Sequence, residues 1–91
     1  MKLPKVGDLV KVNFHDGRYG VIVKIEYGTE ETLYYSHWSD SERKALKRVE
    51  GISLPVSNTV PYGYFELNSL HSYGFKIIRD IVEDWKRRLH R

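Results

Sequence analysis

The chain has 91 residues, a length for about one domain with a single small core. Its 41% hydrophobic and 30% charged residues describe a folded protein with an ordinary polar surface and exclude a disordered polyelectrolyte. The absence of cysteine excludes a disulfide framework, a thiolate metal site and a cysteine nucleophile, and it fits a reducing compartment. The start "MKLPKVGD" has no apolar run for a signal peptide, and nowhere do about 18 apolar residues follow one another, so a soluble, unprocessed chain without a membrane partner is expected. The net charge is +3; residues 1–75 balance to zero, and the surplus lies in residues 76–91, with six Lys/Arg against three acids.

In "LVKVNF", Val10, Val12 and Phe14 alternate with Lys11 and Asn13, the period-two pattern of a half-buried strand. "YGVIVKIE" repeats it, with Val21, Val23 and Ile25 expected inward and Lys24 and Glu26 outward. Ile22 breaks the polar face, as if packed under another element. Asp16-Gly17 between them is a two-residue hairpin signal, because the turn that matches strand twist needs positive φ at both central positions. After the polar loop from Tyr27 to Glu31, "TLYYSHW" is β-branched and aromatic, a third strand over Thr32 to Trp38. Whether Tyr34 or Tyr35 faces inward is left to the sheet pairing.

"SDSERKALKRVEG" changes the period. Ser39 and Glu42 have capping-box spacing, Gly51 is a helix stop, and Ala45, Leu46 and Val49 make a thin apolar side, so a surface helix of about ten residues is expected. "ISLPVSNTVPYG" holds two prolines and is expected to run extended without a regular ladder. A short strand near Tyr64 and Phe65, a single helical turn at "LNSLH" and a last strand over Tyr73 to Lys76 follow. Ile78, Ile81, Val82, Trp85 and Leu89 then fall on one helical stripe. A helix of that length is marginal alone, and burial at about 1.5 to 3 kcal/mol per large side chain docks it on the sheet. The basic ending "KRRLHR" also sits where the helix dipole favours cations.

"VGDLVKV", the hairpin into "YGVIVKI", "YYSHW" and the return "YGYFELNSLH" together resemble the small SH3-like barrel proteins (Tudor- and KOW-like), in particular short barrel proteins encoded by large tailed bacteriophages. The resemblance covers most of residues 5–77. It implies a mainly β, five-stranded SH3-like barrel built from about residues 5–38 and 62–77, interrupted by an insertion over 39–61 and followed by a C-terminal helix over 78–90. It also implies a place in the host bacterial cytoplasm or in a virion. The barrel is shared by modules of many functions, so function has to come from the site.

Nothing in the polar inventory assembles an enzyme. His15, His37, His71 and His90 have no spacing that pairs a nucleophile with a base or builds a metal cage, and Asp16 is a turn former first. His37 and His71 approach only if their strands pair, and a cysteine-free set of two or three histidines is a poor zinc site. Gly17, Gly20 and Gly28 read as turn punctuation and precede no helix, so there is no phosphate loop. No catalysis, metal or cofactor is expected.

Two binding readings remain. Trp38, Tyr62 and Tyr64 are the expected anchors for a protein partner, a virion component or host factor, beside the apolar Ile52, Leu54 and Val56 and an open sheet edge. The alternative is DNA or RNA, held by Arg43, Lys44, Lys47 and Arg48 with Lys86, Arg87, Arg88 and Arg91 if the two helices lie together. Asp40, Glu42, Glu50, Asp80, Glu83 and Asp84 interleave with these bases and favour a merely solvated face. A methyl-ammonium cage from Tyr19, Tyr34, Tyr35, Trp38, Tyr62 and Tyr64 is the lesser option, since rings in so small a barrel are needed for its core.

Overall fold

The computed structural model describes residues 2–14, 17–50 and 63–89, the last without its side chain. The expected turn residue Asp16, the helix stop at Gly51, the extended excursion, Tyr62, the Leu89 side chain and Arg91 lie outside the described residues. Five antiparallel strands form one sheet: β1 Asp8–Val12, β2 Arg18–Tyr27, β3 Thr32–Ser36, β4 Gly63–Glu66 and β5 Phe75–Asp80. Their spatial order is β4-β3-β2-β1-β5. Three helices accompany them, α1 Glu42–Arg48, α2 Leu67–Tyr73 and α3 Ile81–Leu89, and none is long and apolar enough to cross a membrane.

β2 is shared along its length. Its first half, Arg18 to Val21, pairs with β1, and its second half, Ile22 to Tyr27, pairs with β3. Where the partners change, Ile22 faces Ser36 and Lys24 faces Tyr35, leaving Val23 as an extra residue. Such a bulge bends a strand and resets its alternation. As a result Val21 and Val23 face one side of the sheet, while Ile22 and Ile25 share the other. The expectation of Val21, Val23 and Ile25 on one face is corrected by that single residue.

The sheet is packed on both faces. On the inner face Val10, Val12, Ile22, Tyr34 and Leu70 are buried, joined by Phe14, Trp38, Phe65, Phe75 and Ile77, so all five strands and α2 contribute to one core. Tyr34 is therefore the inward tyrosine of β3. On the outer face Leu9, Val21 and Val23 are roofed by Ala45 of α1, its C-cap residue Val49 and Ile81 of α3, with Leu46, Ile78 and Trp85 at the margin.

Several boundaries differ from the expectations. The β1–β2 connection is not a two-residue turn: Val12 pairs with Arg18, and the Gly17 amide donates to the Phe14 carbonyl at 3.1 Å inside a five-residue loop. Helix α1 is capped by Ser41 and not by Ser39, its hydroxyl accepting from the Lys44 amide at 3.2 Å. Ser39 instead exchanges backbone hydrogen bonds with Tyr19, both 2.8 Å. β5 runs on to Asp80, so Ile78 belongs to a strand, and α3 starts at Ile81. Asp80 explains that start, because its Oδ1 accepts from the Val82 and Glu83 amides at 3.0 and 3.2 Å, satisfying donors that a helix N-terminus leaves open.

The N-terminal segment fastens the outer face. The Gly7 amide donates to the Ile22 carbonyl, and the Gly7 carbonyl accepts from the Ile81 amide. Gly7 has φ +94°, and a Cβ there would lie 2.6 Å from Val82 Cγ2, so only glycine suits the crossing. The Lys5 ammonium pairs with buried Asp8 at 3.2 Å and with Asp80, tying the chain start to the strand–helix junction.

Candidate functional site

The described residues of the expected anchor and basic sets are spread over the molecule, and three places gather most of the functional chemistry. Trp38 is half-buried, packed edge-on against Phe65 with centroids 4.8 Å apart, and its buried Nε1 has no hydrogen-bond partner among the described residues. Its ring lies on Gly20, where a Cβ would come within 2.7 Å of Cε3 and collide with Ser36 Oγ as well. Gly20 is thus not turn punctuation; it sits within β2 because the indole needs its surface. Ser36, equally buried, donates to the Val21 carbonyl at 2.8 Å.

Tyr64 lies on the outer face of β4, 52% exposed. The register aligns it with Tyr35 and Lys24. The two tyrosine rings are 5.4 Å apart, and the Lys24 ammonium is 5.4 Å from the Tyr35 centroid, a cation–π distance. Tyr35 also donates to Glu26 at 3.4 Å. Burial, then the Glu26 charge, pushes the Tyr35 phenol above its ordinary value.

The third place is a groove of about 400 Å³ between α1 and α3. Its apolar lining is Leu46, Ile81 and Trp85, and its charged lining is Arg43, Lys47, Arg79 and Arg88 with Glu50 and Asp84. The serine cap sets α1 so that Ala45 and Val49 face the sheet, which leaves Leu46 to one side and turns Arg43 and Lys47 outward. In α3, the Asp80 cap sets the phase: Ile81 is buried, Trp85 stands one turn on, and Arg88 follows at the rim. Arg79 of β5 reaches both helices, 3.7 Å from Glu42 and 3.2 Å from Asp84, and holds one wall in place.

The groove brings together Arg43, Lys47 and Arg88 from the expected basic set. Lys44, Arg48, Lys86 and Arg87 do not line it; Lys44 pairs with Asp40 at 3.0 Å and Lys86 with Glu83 at 3.5 Å. Arg48 lies near His37, whose imidazole is held below its ordinary value by burial and then by that charge. Trp38 and Tyr64 do not line the groove either. Arg79 was not foreseen as a site residue, and Leu46 and Trp85 were foreseen only as packing. The i,i+4,i+7 spacing of Ile81, Trp85 and Arg88 and the i,i+3,i+4 spacing of Arg43, Leu46 and Lys47 are the sequence signals that place apolar and cationic groups on one face of each helix.

Among the described residues no three His, Cys, Asp or Glu side chains lie together as a metal cage. No protein-family model, curated protein or solved structure matches the chain.

Proposed function

We propose that this protein is a non-catalytic docking module on an SH3-like barrel frame, and that it grips an acidic segment of a partner protein in the α1–α3 groove. Support for the frame comes from the bulged β2 shared by two halves of the sheet, and from an inner core to which all five strands contribute, as in a sheet wrapped on itself. The observation that carries the function is the lining of the groove. An indole and two aliphatic side chains stand beside four cations, a combination that takes an apolar anchor flanked by carboxylates.

Arg79 is already engaged by Glu42 and Asp84, and the apolar floor of Leu46, Ile81 and Trp85 suits a hydrophobic side chain better than a phosphate, which favours a protein segment over a nucleic-acid backbone. The resemblance to phage barrel proteins puts such a partner in a virion or the host cytoplasm. Fluorescence anisotropy at about 50 and 200 mM salt separates the readings. An acidic peptide carrying one aromatic residue is expected to bind, more weakly at the higher salt, with labelled oligonucleotides bound poorly at both. Oligonucleotide binding with a log–log salt slope near −3, as for about four phosphates, and no peptide binding would replace the docking reading with the nucleic-acid one.

A further inference from the structure

The connection between β2 and β3 carries the opposite character to the groove. Tyr27 ends β2 with 77% of its surface exposed, more than Leu3, Tyr64 or Tyr73. Glu26 precedes it, and Glu30 and Glu31 follow in the four-residue loop to Thr32. The loop is tight: the Gly28 amide donates to the Glu31 carbonyl at 2.7 Å, and a Cβ on Gly28 would lie 2.7 Å from that same oxygen. The closed turn therefore presents Tyr27 beside a shallow pocket that Glu26, Glu30, Glu31 and Leu33 line, at little ordering cost on binding.

Among the described residues, acids outnumber bases at that end of the sheet. Glu66 on β4 and Glu26 on β2 flank Leu33 in one row, which adds a fourth carboxylate to that end. Lys24, 3.7 Å from Glu26, forms an ion pair there, and Tyr35 donates to the same carboxylate. Burial, then the charge of Glu66 and its hydrogen bond to Glu31, and last the charge of Glu30, raise the Glu31 carboxyl above its ordinary value.

We propose that copies of this chain associate head to tail, the β2–β3 tip of one copy seating Tyr27 with Glu30 and Glu31 in the α1–α3 groove of the next. The inference rests on the docking reading above and names a second copy as the occupant. Tyr27 supplies the aromatic anchor against Trp85, Leu46 and Ile81, and Glu30 and Glu31 meet Arg43, Lys47 and Arg88, while Glu26 stays with Lys24 and Tyr35. The two surfaces are different patches of one molecule, so the contact is heterologous and repeats into a ring or an open filament. A hairpin tip in one groove buries less than the about 1,200 Å² of a stable interface, so the association is weak, with a Kd of about 10 to 500 μM, and sensitive to salt.

Sedimentation velocity of the whole chain from about 10 to 500 μM tests it, at about 50 and 300 mM salt. The expected result is a sedimentation coefficient that rises with concentration at low salt and stays monomeric at high salt. A tip variant, Glu30→Arg with Glu31→Arg, and a groove variant, Arg43→Glu with Arg88→Glu, are each expected to stay monomeric, while their equimolar mixture associates again. Tyr27→Ala is expected to weaken association at unchanged charge. A wild-type chain that stays monomeric throughout, or one whose association survives both variants, overturns the proposal. A labelled peptide of one tyrosine flanked by glutamates separates this failure from that of the docking reading. Peptide binding that the groove variant loses, in a monomeric protein, retains the groove and removes only the second copy; a monomeric protein that binds no peptide loses both.

Discussion

The two faces of the sheet are built from similar aliphatic residues but end in different states. The inner face draws on every strand and on α2, and closes with rings, Phe14 against Phe65 at 5.7 Å and Tyr73 at 4.7 Å, Trp38 against Phe65. The outer face has a buried cluster of similar size, Leu9, Val21, Val23, Ala45, Val49 and Ile81, but fewer partly buried side chains around it, under two short helices whose other sides are charged. The inner face thus holds the fold, whereas the outer face leaves Leu46 and Trp85 partly uncovered between cations. A protein this small has apolar area enough for one full core, and the second, thinner one is where a partner can be accommodated.

The strongest test of that contrast is Leu70→Ala. It removes the side chain by which α2 is anchored under the inner core, and is expected to cost about 2 to 5 kcal/mol in urea unfolding. A loss below about 1 kcal/mol would mean that the inner face is not what holds the sheet. Next, Gly20→Ala forces its Cβ onto Trp38 and Ser36, with an expected loss of about 1 to 3 kcal/mol and a changed tryptophan emission, which unfolding and fluorescence together read out.

Asp80 at the edge of the outer face gives a smaller, pH-dependent effect. Burial acts to raise its carboxyl, but the Lys5 hydrogen bond, the Glu83 amide, the Lys5 charge and the Val82 amide outweigh burial and hold it below the ordinary value. A carboxyl depressed in the folded state contributes stability that is present above its unfolded value of about 3.9 and lost as pH falls through the folded value. Asp80→Asn is expected to flatten stability against pH below about 4, and Asp80→Ala to cost about 1 kcal/mol at neutral pH through the lost cap. An unchanged acid limb in thermal unfolding would place the acid sensitivity elsewhere. The smallest effect on stability is expected from Arg43→Glu, within about 0.5 kcal/mol, together with a weaker grip on acidic peptide than in wild type. The sharpest form of the comparison is this pairing: inner-face changes move stability, and groove changes move binding.

Much of the frame was legible along the chain. Alternation located the first two strands, the aromatic run located the third, and the spacing of Ile81, Val82 and Trp85 located the last helix. Boundaries were less legible where a cap competes with a pattern: Ile78 continues the helical stripe on paper, yet Asp80 takes the α3 amides and leaves Ile78 in β5. Likewise Ser39 fits a capping box by spacing, but its backbone is committed to Tyr19, and Ser41 does the capping.

The sequence by itself determined a mainly β chain of five strands with a basic, amphipathic end, because local periodicity and turn chemistry are properties of neighbouring residues. The tertiary structure alone decided which residues share a face. One extra residue at Val23 reverses the alternation beyond it, and no count along the chain reveals where a partner strand is two-to-one. It also decided the groove, since Arg43 and Lys47 meet Trp85 and Arg88 only when β5 carries α3 back beside α1, and contacts made across about 40 residues leave no mark in local pattern.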